Sequence, residues 1–265
     1  MSKVAYVLVA TQHGSMIVNR FDYVPASPTN NVYGLGYRLL ENGVYAEQEL
    51  NTLAKLLFYK KNVCGDGTVV LDIGANIGTH TVSLSKFCTG WGKVIAYEAQ
   101  PRVFYALAGN IALNNCFNAE AHNVAVGDKD TEAIRVPYVD YTIPTSFASL
   151  ELRKTDHQEA QGQKPDYTKG TVVEVVNIDM EMHDRLDLMK IDVEGMEYDV
   201  IEGAERTIKK HHPIIFYEHI KCDRVKVEHL LRSYGYSTFE TLGNNTLALT
   251  EEDAKEIQIT KETHD

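Results

Sequence analysis

The side chains with the most chemical potential fall in two stretches. The first is Val69-Val70-Leu71-Asp72-Ile73-Gly74-Ala75-Asn76-Ile77-Gly78-Thr79, an apolar run that passes through two glycines into a helix start. Glycines at such a turn let the backbone approach a ligand where the first N–H groups of a helix have no intrahelical partner. One sheet repeat later, the apolar run 93–97 ends in Glu98. In doubly wound sheets an acidic group there hydrogen-bonds a ribose hydroxyl. The turn departs from the dinucleotide pattern G-x-G-x-x-G, because Asn76 takes a glycine position and Asp72 stands just before the turn. A carboxylate and a carboxamide suit the ammonium and carboxylate of an amino-acid moiety better than a pyrophosphate. S-adenosylmethionine (SAM) offers an amino acid, a sulfonium and a ribose, so Asp72, Gly74, Asn76, Gly78 and Glu98 are candidate SAM-binding residues.

The second stretch is Leu188-Met189-Lys190-Ile191-Asp192-Val193-Glu194-Gly195. A period of two puts Lys190, Asp192 and Glu194 on one face of a strand, which is costly in a core unless the charges pair or face a cavity. Lys190 has Asp72 or Glu218 as a possible internal partner. The next apolar run, 214–218, ends in Glu218-His219. Asp192, Glu194 and His219 are candidate catalytic residues, any of which could serve as a general base. Their convergence with Glu218 leaves a magnesium-assisted deprotonation open, although the spacing specifies no metal.

The surrounding pattern supplies the elements that must hold these residues. Apolar runs at 69–73, 93–97, 120–126, 188–193 and 214–218 alternate with helical stretches at 79–87, 101–114, 196–210 and 223–233. Strands this apolar are buried on both faces of a parallel sheet. Runs at 237–242 and 246–249 flank Gly243-Asn244-Asn245 and read as an antiparallel hairpin. Ahead of the alternation, residues 1–64 read as an extension: a hairpin from 4–11 and 16–22, a loop containing Pro25, Pro28, Gly34 and Gly36, and a helix over 46–61. Residues 128–179 are too long for a simple connection and read as an inserted hairpin with a mobile tip, placed to shape substrate choice. The core domain spans 65–250, and the polar residues 251–265 read as a fraying tail.

Composition excludes several classes. The 265 residues carry 26 Lys and Arg against 37 Asp and Glu, a net charge of −11, so no broad positive field for duplex nucleic acid is expected. The imbalance is uneven: residues 1–65 hold 6 basic and 4 acidic residues, the remainder 20 and 33. Cys64, Cys88, Cys116 and Cys222 form no C-x-x-C or zinc-type cluster and read as reduced thiols of a cytoplasmic protein. No apolar run approaches the roughly 20 residues of a membrane span.

The run 71–78, Tyr97-Glu98 before Pro101, Asn110 to Asn114, and Met189-Lys-Ile-Asp-Val-Glu-Gly195 with Glu197, Gly203-Ala204, Pro213 and Glu218 together resemble the FkbM family of class I SAM-dependent methyltransferases, over about residues 45–220. The resemblance implies an α/β fold with a Rossmann-like, doubly wound, mostly parallel seven-stranded sheet whose last strand is antiparallel. It also implies SAM as methyl donor and O-methylation of a hydroxyl on a sugar or small natural product. A nucleobase N-methyltransferase, a NAD-dependent oxidoreductase and a non-catalytic SAM-binding module are the alternatives. The N-methyltransferase lacks its Asn- or Asp-Pro-Pro-aromatic sequence after the fourth strand, and the oxidoreductase lacks the third glycine. The acceptor's identity and the oligomeric state are not legible.

Overall fold

A computed structural model describes residues 4–25, 31–128, 131–155 and 162–257. The chain opens with the hairpin β1 (Tyr6–Thr11) and β2 (Gly14–Asn19), then α1 (Leu35–Asn42) and α2 (Glu47–Cys64). The alternating core follows: β3 (Thr68–Ile73), α3 (Thr79–Phe87), β4 (Gly92–Tyr97), α4 (Pro101–Leu113) and β5 (Ala119–His122). Next come β6 (Ala125–Val126), β7 (Ala133–Tyr138) and β8 (Asp166–Val176), and then β9 (Leu188–Ile191), α5 (Glu197–Glu202), α6 (Glu205–His211), β10 (Ile214–Glu218) and α7 (Arg224–Ser233). The hairpin β11 (Tyr236–Leu242) and β12 (Asn245–Thr250) leads into α8 (Glu251–Glu256).

Among the described residues, seven strands form one sheet in the order β11-β12-β10-β9-β3-β4-β5. The ladders β5-β4-β3-β9-β10 are parallel, and β12 runs antiparallel to both its neighbours. The reversal of order at β3, where the chain moves first toward β5 and then toward β9 and β10, opens a crevice at the strands' C-terminal ends. This is the expected doubly wound sheet with an antiparallel last strand.

Period-two alternation assigns the layers. Val69, Leu71, Ile73, Met189, Ile191, Ile215 and Tyr217 point to one face and pack on Val200, Ile201, Ile208, Val227 and Leu231 of α5, α6 and α7. Val70, Val94, Leu188, Ile214 and Phe216 point to the other and meet Leu53, Leu56 and Leu57 of α2 with Leu84 of α3. Helix α2 has Glu47 and Glu49 in its first turn and Lys61 in its last, which complements the helix dipole.

Several boundaries differ from the sequence reading, each for a local reason. The loop expected before residue 46 contains α1, which starts because the buried Asp22 carboxylate accepts the Gly36 N–H at 3.1 Å. Gly36 has no room for a side chain, since a Cβ would lie 2.4 Å from the Asn19 carbonyl oxygen. The single strand expected over 120–126 is two, because Asn123 turns the chain by donating to the Glu98 and Ala99 carbonyls, and β6 pairs with β8 instead. The helix expected over 196–210 breaks at Gly203, whose Cβ would lie 2.1 Å from the Gly127 carbonyl oxygen. It restarts where Asp179 caps α6 through the Arg206 and Thr207 N–H groups, at 2.9 and 2.8 Å. The tail begins with α8, capped by Thr250 and tied down by Asp253, which pairs with the buried Lys60 at 2.8 Å. The expected insertion hairpin forms as β7 and β8, joined antiparallel. Its tip residues 156–161, expected to be mobile, lie outside the described residues, as do 258–265 of the tail.

The N-terminal hairpin is riveted to the core by Asn110 of α4, which is fully buried. Its carboxamide accepts the Ile17 N–H and donates to the Ile17 and Ile77 carbonyls, at 3.2 and 2.8 Å. Asn110→Ala removes the side-chain partner of one buried and two half-buried backbone groups and is expected to cost about 2–4 kcal/mol. Urea unfolding with an unchanged m-value checks it.

Candidate active site

A cavity of about 400 Å³ opens at the C-terminal ends of β3, β4, β9 and β10. Of the residues singled out in the sequence, Gly74, Asn76, Glu98, Asp192 and Glu194 line it. Asp72, Gly78 and His219 lie outside its lining.

Asp72 is fully buried beneath the cavity, where its Oδ2 accepts the Thr81 hydroxyl at 2.6 Å and its Oδ1 lies 3.5 Å from the Lys190 ammonium. It holds the glycine turn and Lys190 together below the cavity. Gly78 ends the turn at φ 88°, against Leu107. His219 turns toward β12, with Nδ1 3.0 Å from the Thr246 hydroxyl.

The glycine turn is set by close approach as well as dihedral. Gly74 has φ 79°, and a Cβ there would lie 1.8 Å from the Asp192 carbonyl oxygen, so the turn is pressed onto the end of β9. Asn76 also adopts positive φ, at 52°; its carboxamide oxygen accepts the next N–H, of Ile77, at 2.7 Å. Its own N–H donates to Glu98 Oε2 at 2.9 Å, while Glu98 Oε1 accepts the Gln100 N–H at 2.8 Å. Glu98 is only 6% exposed. Burial outweighs these two hydrogen bonds and raises its pKa to about 7.

Against that turn, β9 stops at Ile191, so Asp192 and Glu194 sit past the strand and do not continue its alternating face. Glu197 shapes that turn by accepting the Val193 and Gly195 N–H groups at 3.1 Å, and Glu194 adopts φ 55°. Asp192 lies 3.3 Å from the Lys190 ammonium, and Glu194 lies 2.6 Å from that of Lys221. Glu218 completes the cluster; no described residue hydrogen-bonds its buried Oε2. Burial, reinforced by Asp192, raises the pKa of Glu218 to about 8, and burial with Asp192 and Glu218 also raises that of Glu194. Carboxylate oxygens of Asp192, Glu194 and Glu218 lie within 4.8 Å of one another, so these are the residues that could hold a hard cation, with two lysines competing for them.

Sequence reasoning missed most of the outer wall. Tyr33, Arg38, Tyr45 and Glu49 from the N-terminal extension and Ser146, Ser149 and Leu150 from the insertion line the cavity. Glu49 pairs with the cavity residue His80 at 3.4 Å. Tyr45 faces Asp192, Glu49 and Lys190, and burial raises its phenol's pKa well above the usual tyrosine value. None of these positions carries a motif. Glu197 had a signal, an acidic residue at a helix start just after Gly195.

Because Glu98 keeps its proton to higher pH in the folded chain than in the unfolded one, its contribution to stability is present below about pH 4.5 and is lost as pH rises through 7. The stability advantage of the wild type over Glu98→Gln is expected to shrink by on the order of 2 kcal/mol between pH 5 and 8. Urea titrations of both proteins across that range measure it, and a constant difference would refute the assignment.

Residues 72–238 match the family model described as the methyltransferase FkbM domain, starting and ending later than the 45–220 expected from the sequence. Methyltransferase 1 of Beauveria bassiana (strain ARSEF 2860) is 24% identical over 149 residues, which span 53% of this chain and 59% of that protein. Among solved structures, the FkbM methyltransferase of Methylobacillus flagellatus KT is 18% identical, with a TM-score of 0.49 over 74% of this chain and 47% of its own. The tRNA (uracil-54, C5)-methyltransferase of Pyrococcus abyssi, solved with S-adenosyl-L-homocysteine, is 11% identical, with a TM-score of 0.45 over 93% of this chain and 44% of its own. The chain thus spans about half the length of these relatives. The family match, which covers more than half of the chain and runs from the floor carboxylate Asp72 through β10 and α7, makes this protein a member of the methyltransferase FkbM domain family.

Proposed function

We propose that the protein transfers a methyl group from SAM to a hydroxyl oxygen of a carbohydrate or small natural product. The observation that carries this reading is one cavity lined by the glycine turn and Glu98 together with Asp192, Glu194 and Glu218. Family membership supports methyl transfer over the oxidoreductase alternative. The net charge of −11 and the acidic lining favour a small acceptor over duplex nucleic acid.

When bound, SAM supplies an electrophilic methyl group on a positively charged sulfur. The chain's own residues do the rest. Gly74 and Asn76 bring backbone close to the amino-acid portion, and Glu98 accepts from the ribose hydroxyls. The carboxylates around the cavity favour a ligand with two cationic centres. Asp192 or Glu218 accepts the proton of the acceptor hydroxyl as it attacks. Glu218 suits this role because its raised pKa lies near working pH and its Oε2 is free of other bonds among the described residues. Glu194, held by Lys221, positions the acceptor. Tyr33, Ser146 and Ser149 offer hydroxyls along the outer wall that suit a polyhydroxylated acceptor.

Calorimetry with SAM tests the donor half. Wild-type protein is expected to bind, and Glu98→Gln to bind about tenfold or more weakly at pH 8, where the wild-type carboxylate is ionised. No binding by the wild type would sink the reading. For the acceptor half, SAM with an isotopically labelled methyl is incubated with a metabolite extract, and mass analysis is expected to find the label on a hydroxyl oxygen. With that acceptor in hand, Asp192→Asn and Glu218→Gln should retain SAM affinity. The variant lacking the base should lose about 10²- to 10⁴-fold in kcat.

A further inference from the structure

The cavity has a charge without a counterpart. Three permanently cationic side chains line it, Arg38, Lys190 and Lys221. Lys190 is committed to Asp72 and Asp192, at 3.5 and 3.3 Å, and Lys221 to Glu194 at 2.6 Å, with Glu151 at 3.8 Å. The His80 imidazole is occupied by Glu49. Arg38 alone has no ion pair or side-chain hydrogen bond with any described residue, although the cavity it lines contains five carboxylates, those of Glu49, Glu98, Asp192, Glu194 and Glu218.

The Arg38 side chain is exposed, but the helix that carries it is anchored. Leu35 and Leu39, the neighbours of Arg38 on α1, are buried in the core cluster that also holds Met16 and Val18 of β2 and Ile77 of the glycine turn, and α1 packs on β1 and β2. The buried Asp22 anchors the start of α1 to the insertion, accepting the Gly36 N–H through one oxygen and the Phe147 N–H, at 3.0 Å, through the other. A guanidinium on a rigid helix beside a cavity rich in carboxylates, yet bonded to none of them, is arranged for an anion brought in by a ligand.

We infer that Arg38 binds the α-carboxylate of the SAM methionine moiety. The inference rests on the SAM reading above and extends it to a residue outside the family-matched segment 72–238. Of the donor's charged groups, the ammonium and the sulfonium are served by the cavity's carboxylates, and only the carboxylate requires a cation. The first turn of α3 contributes Thr79 to the cavity and has no acidic side chain of its own, and the dipole of that helix favours a negative group there. The extension would thereby serve as the clamp on the donor's amino-acid end, while the matched domain holds the nucleoside end.

The test uses the full chain and two ligands that differ only in the carboxylate, SAM and decarboxylated SAM. Binding is measured by calorimetry for wild type, Arg38→Gln and Arg38→Lys, with melting temperature as a control. Wild type is expected to prefer SAM, and Arg38→Gln to lose about 10- to 100-fold in SAM affinity. Affinity for the decarboxylated ligand should stay within about twofold, Arg38→Lys should recover part of the loss, and the melting temperature of the unliganded protein should not move. Undiminished SAM affinity in Arg38→Gln overturns the inference and leaves the anion site to the acceptor. An equal loss on both ligands overturns it too, by marking Arg38 as structural. If wild type binds neither ligand, the SAM reading itself fails, an outcome distinct from either of these.

Discussion

A buried ammonium organises this molecule. Lys190 stands on the central strand β9, directly across from Asp72 of β3 in the parallel register, with only 3% of its surface exposed. Burial opposes its charge, and Asp192, Asp72 and Glu49 together outweigh that opposition, holding the lysine's pKa above its ordinary value. A charge so placed requires its partners. Asp72 must remain under the glycine turn, Asp192 must end β9 facing the cavity, and Thr81 must satisfy the second oxygen of Asp72 and so fix the start of α3. The donor turn, the helix behind it and the proposed reacting carboxylate are thus held in one electrostatic unit, with little freedom to move separately.

The sequence and the structure agree most closely where periodicity and burial coincide. The apolar runs at 69–73, 93–97 and 214–218 read as buried strands, and they are buried on both faces. The glycine turn and Glu98 were legible because their residue types are rare in such positions. The errors share a cause, which is that the deciding contact came from a distant part of the chain. Helix α1 depends on Asp22, the break between α5 and α6 on Gly127 and Asp179, and the split between β5 and β6 on Asn123 reaching back to Glu98. Asp72 and Glu98 looked alike as carboxylates at strand ends. Only Glu98 lies past the end of its strand, whereas Asp72 is inside β3, one residue short of its end. The outer wall was illegible because Arg38, Tyr45, Ser146 and Ser149 are ordinary surface residues until folding brings them round a shared space.

The two walls also divide labour by origin. The sheet contributes Gly74, Glu98, Asp192 and Glu218 at positions fixed by strand register, while the extension and the insertion contribute side chains on surface segments. Gln100 connects them by donating to the Phe147 carbonyl at 2.9 Å while accepting the Tyr141 hydroxyl at 3.1 Å. Residues 141–152 are thus coupled to the sheet side through the Gln100 carboxamide and through Lys221, which donates to the Ser149 carbonyl at 3.1 Å and lies 3.8 Å from Glu151.

The position of β12 has a consequence for synthesis. Among the described strands it comes last in the chain, yet it lies inside the sheet, between β10 and β11. As the chain leaves the ribosome, β10 pairs with β9 on one side. Its other edge, formed by Ile215, Phe216 and Tyr217, has no partner until Asn245–Thr250 emerges. For that interval the nascent chain carries an open apolar edge of the kind that recruits foreign strands. Helix α7 covers only a face of the sheet and cannot satisfy the edge's hydrogen bonds. Folding of the central sheet is therefore closed from its C-terminal end, and a ribosome that stalls before residue 245 leaves a chain with its donor turn already encoded and its sheet unsealed.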